Sequence, residues 1–330
     1  MLRTAIAGIA SVLAISAATL AQDSVQPGEQ SSEQSAAPAP ALEEMRHRAL
    51  SLVNDARKQH GLEPLQSGER LDKAAQAHAE DMLARGYYSH VSPDGETVED
   101  RYRDQGGSRW KRVAENIATC KECKMPATLD RVARFHEGWM KSPGHRENIL
   151  MRGVQNFGFG VAGKDGRVYA VQTFAGPGMP LDLADGEEPV ALSTDEQMQR
   201  AVQAINRARE REGLDPLEHS AVLSEVAKKL IPENGTGDHL IDRPDDLFAL
   251  LPGDTGLSWR RLQVMAAACG GCGTQPTAAD IRYFADQWTN NPNDRPYVLQ
   301  SAASHMGFAM QADGEGRKTA VTVLGERRAD

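Results

Sequence analysis

Three residues in the first half of the chain have side chains that could do chemistry: His90, Glu115 and His145. Imidazole and carboxylate groups suit a divalent cation such as zinc, and three protein ligands would leave one coordination position open for water or a substrate. The same residues could instead transfer protons without a metal, because histidine titrates near neutral pH. Each could also have a purely structural role, such as bracing a helix or accepting backbone hydrogen bonds.

The sequence lacks the common signatures of enzymes. It contains no G-x-S-x-G, no H-E-x-x-H and no phosphate-binding loop. Ser89 and Ser92 lie close to His90, but closeness in sequence does not make a nucleophile–base pair. A binding function is therefore favoured over catalysis. Two alternatives stay open: a metal-assisted hydrolase, either a protease or an envelope-active enzyme, and an interaction scaffold with a vestigial cleft.

An internal repeat helps to separate scaffold residues from site residues. Residues 52–65 (LVNDARKQHGLEPL) and 204–217 (AINRAREREGLDPL) are identical at seven of fourteen positions. Two further pairs of segments match, 110–123 with 259–272 and 135–150 with 284–299. A duplication keeps what the fold needs in both copies, but it need keep a site in only one.

Two of the three candidate residues are lost in the second copy. Val264 stands at the place of Glu115 and Asp294 at the place of His145, while His239 falls at the place of His90. This loss favours a site over a structural role for the group. The residues kept in both copies are interpreted as core aromatics, a bracing guanidinium and a tight strand position: Trp110/Trp259, Trp139/Trp288, Arg146/Arg295 and Gly158/Gly307.

The four cysteines form two C-x-x-C pairs at equivalent places in the repeats, Cys120/Cys123 and Cys269/Cys272. A local disulfide within each pair suits an oxidising compartment and is the favoured interpretation. Bonding between the pairs, or a shared zinc with four thiolate ligands, would require the pairs to meet in space. A thioredoxin-like redox motif is disfavoured because the βαβ context is missing.

The first 21 residues are typical of a signal peptide. Arg3 provides the positive start, residues 5–18 are apolar, and cleavage is expected after Ala21. Residues 22–40 are rich in Gln, Ser, Pro and Ala and are predicted to be a disordered spacer. We therefore expect an exported protein, periplasmic or extracellular, with no transmembrane anchor after cleavage. The formal net charge of -9 argues against a nucleic-acid partner.

The hydrophobic pattern of the first repeat predicts helices followed by a small antiparallel sheet, which is an α+β arrangement. Residues 179–195 are acidic and turn-rich and are interpreted as a linker before a second repeat of the same plan. The predicted helices are 41–60, 69–85, 97–105 and 127–141, the predicted strands are 156–162 and 167–174, and 87–95 is a loop.

Five motifs of the first repeat occur in a characteristic order: SHVSPDG, AENIA, W-x-x-SPGHR-x-NIL, FGFGVA and YAVQTF. As an ordered set over residues 44–176 they resemble the bacterial branch of the CAP superfamily, also called SCP-domain proteins, which includes cysteine-rich secretory proteins, antigen 5 and pathogenesis-related proteins. The resemblance implies an α-β-α sandwich with a central cleft. Together with the internal repeat, it implies a tandem pair, with a CAP/SCP domain over residues 41–178 and a degenerate copy over 196–326.

Many members of this family place two histidines and two glutamates in the cleft, and some bind a divalent cation there. By resemblance, His90, Glu115 and His145 match three of these positions. The second glutamate usually follows the helix tryptophan and is not found here, since Glu137 lies on the wrong side of Trp139. The resemblance thus implies a binding module whose cleft takes a divalent cation such as zinc, a small apolar ligand or a cell-envelope component.

Overall fold

The computed structural model describes residues 39–123, 126–232, 240–242 and 244–328. The predicted signal peptide and the predicted spacer up to residue 38 lie outside these ranges. The elements of the first repeat are α1 (Ala39–Gln59), β1 (Gln66–Ser67), α2 (Glu69–Arg85), α3 (Val98–Asp104), β2 (Arg112–Cys120), α4 (Leu129–Lys141), α5 (Pro143–Ile149), β3 (Asn156–Lys164) and β4 (Arg167–Gly176).

The four strands of the first repeat form one sheet in the order β1-β3-β4-β2. Alternate side chains of the central strand β4 enter two different hydrophobic clusters. Val168, Ala170 and Phe174 pack with α1 and α4, while Tyr169 and Val171 pack with α2. Because successive side chains of a strand point to opposite faces, the sheet is buried on both sides. The α+β class and the α-β-α sandwich are both confirmed.

Helix α2 lies unusually close to the sheet, and a glycine makes this approach possible. A Cβ atom on Gly158 of β3 would lie 2.3 Å from the carbonyl carbon of Leu71, inside normal contact distance. The equivalent position of the second repeat, Gly307, has the same relation to Leu223, at 2.1 Å. The tight strand position predicted from the repeat is therefore present in both copies.

The second repeat has the same order of elements as the first. They are α6 (Thr194–Arg211), β5 (Glu218–His219), α7 (Ala221–Lys229), β6 (Trp259–Cys269), α8 (Ala278–Asn290), α9 (Arg295–Val298), β7 (His305–Ala312) and β8 (Lys318–Arg327). Its sheet runs β5-β7-β8-β6, which is the strand order of the first sheet. Two short 3-10 segments replace the helix that precedes β2 in the first repeat. That this half is a degenerate copy of the same family stays a prediction.

Three of the four conserved tryptophans are core residues, but Trp110 is not. Trp110 is half-buried at the junction of the repeats, where its carbonyl accepts a hydrogen bond from the Gly271 amide at 2.6 Å. The Arg317 guanidinium of the second repeat lies over its ring at 4.5 Å. Lys111 and Glu315 form an ion pair across the same junction at 2.8 Å. Trp110 thus joins the two repeats rather than filling one core.

Both predicted local disulfides are present, Cys120–Cys123 and Cys269–Cys272. The second bond sits in a buried loop at the junction of the repeats, whereas the Lys121 and Glu122 side chains between the first pair are exposed. Within the described ranges, no helix is long and apolar enough to cross a membrane.

Candidate functional site

Glu115 lies at the centre of the candidate site, on the edge strand β2. Its side chain points to the α2 face of the sheet, as does that of its cross-strand partner Thr173. Only 5 % of Glu115 is exposed. A carboxylate this deeply buried needs partners that replace water, since an isolated buried charge is strongly unfavourable.

Arg101 of α3 is the main partner of this carboxylate. Its Nη2 donates to Glu115 Oε2 at 2.8 Å and also to the carbonyl of His90 at 3.0 Å, while Nη1 donates to the carbonyl of Glu96 at 3.0 Å. A capping box between Thr97 and Asp100 fixes the start of α3. Arg101 therefore neutralises Glu115 and holds the loop that carries His90.

His90 lies on the other oxygen of the same carboxylate. Its Nδ1 is 2.8 Å from Glu115 Oε1, and its side chain is 51 % exposed. A carboxylate bonded to one ring nitrogen favours the tautomer with the proton on that nitrogen, so the lone pair is on Nε2. This arrangement orients the half-exposed imidazole and leaves Nε2 free for a ligand.

A second histidine, His78 of α2, lies behind this pair and is fully buried. Its Nε2 is 3.8 Å from Glu115 Oε1 and 2.9 Å from the carbonyl of Ser89, while Nδ1 is 3.4 Å from the hydroxyl of Tyr87. Burial lowers the pKa of His78, and the charge of Glu115 opposes that shift. Because its ring contacts both Glu115 and the loop backbone, His78 is part of the support of the site.

His145 approaches the site from α5, on the other side of β2. The carbonyl of His145 accepts a hydrogen bond from Asn116 Nδ2 at 3.0 Å, and Asn148 donates to the Glu115 carbonyl at 3.1 Å and to Asn116 Oδ1 at 2.9 Å. These bonds fix α5 against the strand that carries Glu115. Burial lowers the pKa of His145, and the nearby His90 lowers it further, so its imidazole is neutral at neutral pH.

A three-ligand metal site does not fit these positions as they stand. Among the described residues, no group of three or more His, Cys, Asp or Glu side chains is arranged to hold a metal ion. Arg101 and His90 each contact one oxygen of the buried Glu115 carboxylate, so this group already has short polar partners on both oxygens. The imidazoles of His90 and His145 are the donors that remain.

The structure therefore brings His90 and Glu115 into contact and fixes His145 beside them through Asn116 and Asn148. Sequence reasoning singled out neither Arg101 nor His78 as a site residue, although both lie in predicted helices. The two asparagines belong to the AENIA and SPGHR-x-NIL motifs, which could have indicated them.

The corresponding region of the second repeat has a different composition. Val264 is half-buried beside an apolar cluster that includes Leu262, and Asp294 stands at the start of α9 without a side-chain cap. His239 lies outside the described residues, so its predicted equivalence with His90 stays a prediction. The carboxylate of the first repeat thus has an apolar residue as its counterpart.

Comparison with known proteins gives a family for the first repeat. Residues 50–174 match the profile of the cysteine-rich secretory protein family, CAP. The uncharacterized protein YkwD of Bacillus subtilis is 36 % identical over 113 residues, which are 34 % of this chain and 40 % of that protein. The match therefore covers well under two thirds of this relative.

Solved structures of related proteins are also similar to this chain, at lower similarity. An extracellular SCP-domain protein of Bacillus anthracis is 28 % identical, with a TM-score of 0.34 over 43 % of this chain and 44 % of that chain. Na-ASP-1 is 10 % identical, with a TM-score of 0.36 over 90 % of this chain and 93 % of that chain. With the family match and the α-β-α sandwich in agreement, residues 50–174 form a domain of the cysteine-rich secretory protein (CAP) family.

Proposed function

We propose that this chain is an extracellular binding protein whose first repeat binds a divalent cation through His90 and His145. The observation that carries the proposal is the fixed pair of Glu115 and His90. Glu115 is neutralised by Arg101 and contacts His90 Nδ1, so the half-exposed ring of His90 is oriented with Nε2 directed away from the carboxylate. A carboxylate behind a ligating histidine is a common support of metal sites, because it fixes the tautomer and raises ligand basicity.

His145 supplies the second donor. Its lowered pKa keeps the imidazole unprotonated at neutral pH, which metal binding requires. Two imidazoles suit a borderline cation such as zinc. A site with only two protein donors is open, so water or groups of a small ligand or cell-envelope component would complete the coordination.

Binding is favoured over hydrolysis by the state of Glu115. A general base must have a free lone pair within reach of the proton that it removes. Glu115 is buried, and both of its oxygens have partners. Glu115 is therefore poorly placed to serve as the base, and the hydrolase alternative would have to use the imidazole of His90 or His145.

The extracellular assignment rests on the predicted signal peptide and on the disulfides. Both C-x-x-C pairs form local disulfides, and such bonds persist in oxidising compartments. In this proposal the second repeat is a degenerate CAP copy that serves as a scaffold or partner surface.

Calorimetric titration of the full chain with zinc chloride at neutral pH tests the cation site. We expect about one zinc per chain, and binding at least tenfold weaker in His90→Ala and in His145→Ala, because each removes one of two donors. His47→Ala, which changes an exposed histidine of α1, is the matched control and should bind as the wild type does. Absence of zinc binding, or equal binding by His90→Ala and wild type, would refute the site.

A hydrolysis screen with peptides and peptidoglycan separates the binding function from the enzyme alternative. We expect no turnover by the wild type with zinc present. Hydrolysis that disappears in the double variant His90→Ala/His145→Ala would show that the cluster is catalytic, and the binding proposal would then have to be replaced by the hydrolase alternative.

A further inference from the structure

Three polar side chains of the second repeat meet where β5 pairs with the start of β7. Strands β5 and β7 are parallel, and Glu218 stands directly beside His305 in the register. Ser304 precedes His305, and two backbone hydrogen bonds hold it. The Ser304 N–H donates to the Gly325 carbonyl at 3.0 Å, and the Ser304 carbonyl accepts from the Glu218 N–H at 2.9 Å. This backbone pairing brings a carboxylate, an imidazole and a hydroxyl to one end of the sheet.

The three side chains are linked in series. Ser304 Oγ is 2.9 Å from His305 Nδ1, and His305 Nε2 is 3.4 Å from Glu218 Oε2. With the Nε2 proton directed at Glu218, the lone pair of Nδ1 accepts the proton of the serine hydroxyl. The series serine, histidine, carboxylate is the order of groups that activates a serine nucleophile, and it is recognised by geometry rather than by sequence position.

The imidazole of His305 is held in place and is neutral at neutral pH, as a general base must be. Its side chain is only 13 % exposed, and the Trp259 ring packs edge-on against it at 5.3 Å, which restricts its rotation. Burial lowers the pKa of His305, Arg327 lowers it further, and Glu218 opposes both effects, so the ring is neutral at neutral pH. Glu218 itself is largely exposed and can stabilise the imidazolium when it forms.

The first repeat has only amides at these positions. Its β1–β3 pairing places Gln66 beside Asn156. The backbone N–H of Gln66 donates to the Gln155 carbonyl at 2.9 Å, just as the backbone N–H of Glu218 donates to the Ser304 carbonyl. The backbone geometry therefore does not require a hydroxyl, an imidazole and a carboxylate here.

We propose that Ser304, His305 and Glu218 form a nucleophilic site that cleaves esters of small acyl groups. Ser304 is half-buried, and its Oγ also lies 3.4 Å from the Gly325 carbonyl, a second and longer acceptor for its proton. Small acyl groups are proposed because a half-buried hydroxyl is least accessible to bulky ones. The site is independent of the cation site proposed for the first repeat.

The reaction needs only the ester and water. Ser304 Oγ attacks the carbonyl carbon while its proton passes to His305 Nδ1. The bond to the alkoxy group then breaks, and the leaving oxygen takes that proton as an alcohol. Water attacks the acyl-serine and gives a proton to His305, and the released Ser304 oxygen recovers it as the carboxylic acid leaves.

Labelling of the full chain with a fluorophosphonate probe, followed by peptide mapping, tests the nucleophile. We expect one label per chain on Ser304 and none on that peptide in Ser304→Ala. Labelling of other residues alone, or none, would overturn the proposal. Because this result is read from the wild-type chain, it stands even if a variant does not fold.

Rates of p-nitrophenyl acetate hydrolysis test the roles of the other two residues. We expect His305→Gln to slow hydrolysis about 100-fold or more, the usual effect of removing a general base. Glu218→Gln should have a smaller effect, because its contact is longer and exposed. Ser301→Ala changes an exposed serine without a histidine partner and is the control. Equal rates in His305→Gln and wild type would overturn the proposed role of His305, and with it the site.

Discussion

The two repeats keep the same arginine for the same backbone contacts. Arg57 donates to the carbonyls of Glu63, Ile149 and Met151. In the second repeat Arg209 is almost completely buried and makes the equivalent contacts: its acceptors are the carbonyls of Asp215, Val298 and Gln300. A side chain that satisfies buried backbone groups is retained, because those groups exist in both copies whatever the function.

Several polar groups that bond other side chains are not retained. Glu115, bonded to Arg101, has the apolar counterpart Val264. In the other direction, the amides Gln155 and Asn156 have the counterparts Ser304 and His305. Each repeat thus carries titratable groups where the other has none. The comparison indicates that the two repeats share one scaffold and differ in where their titratable groups lie.

Removing the shared arginine should have the largest effect on stability. Arg57→Ala and Arg209→Ala each leave buried carbonyls without donors, and we expect each to lower the free energy of unfolding by about 3–5 kcal/mol. Urea denaturation of the full chain measures this. Arg57→Lys and Arg209→Lys are controls that keep the charge but lose the planar fork, and they should lie between alanine and wild type. A loss below about 1 kcal/mol in either repeat would contradict the shared role.

Converting the first site to the composition of the second should have a smaller and more specific effect. Arg101→Met leaves the buried Glu115 without its main partner, and we expect it to lower the free energy of unfolding by about 3 kcal/mol. Adding Glu115→Val, the residue of the second repeat, removes the uncompensated charge. The double variant should therefore be more stable than Arg101→Met alone.

A double-mutant cycle measures this coupling by urea denaturation. Recovery should be partial, because the carbonyls of His90 and Glu96 still lose their donor. If the effects of the two substitutions simply add, the ion pair contributes no coupling, and the distinction between a charged first site and an apolar second site has no energetic basis.

Much of the fold could be predicted because local patterns determine it. The spacing of apolar residues gave α2 at its observed bounds, and the strands predicted at 156–162 and 167–174 correspond to β3 and β4. Strand β2 was not predicted, because its RVAENIATC sequence mixes polar and small residues without a clear alternation. The predicted helix 127–141 ends at the observed end of α4, and the short helix α5, which lies outside the predicted helix ranges, starts at Pro143, where proline is well tolerated.

The sites could be predicted only in part, since they depend on contacts between distant segments. Family motifs indicated His90, Glu115 and His145. The ion pair between Arg101 and Glu115 could not be predicted in this way, because it depends on how α3 packs beside β2. The meeting of His305 with Glu218 depends on the parallel pairing of β5 with β7, which the sequence does not reveal. Local patterns cannot give the register between segments so far apart.

The smallest expected difference between the repeats is in how their stability depends on pH. His136 of α4 is buried, and its Nδ1 has no hydrogen-bond partner, whereas its counterpart in the second repeat is Ala285. Burial lowers the pKa of His136, and Glu137 opposes the shift. Above an unfolded pKa of about 6.5 both states are neutral, so pH has no effect through this residue.

Below that pH the unfolded chain binds a proton that the folded chain resists, so the free energy of unfolding falls. A buried histidine of this kind lowers the free energy of unfolding by at most about 1.4 kcal/mol for each unit by which the pH falls. The decrease ends once the pH is below the lowered pKa of the histidine in the folded state. His136→Ala, which introduces the residue of the second repeat, should therefore reduce the slope of stability against pH below 6.5. The exposed His47→Ala should leave the slope unchanged. Urea denaturation at a series of pH values measures both, and an unchanged slope in His136→Ala would show that its burial does not affect its protonation.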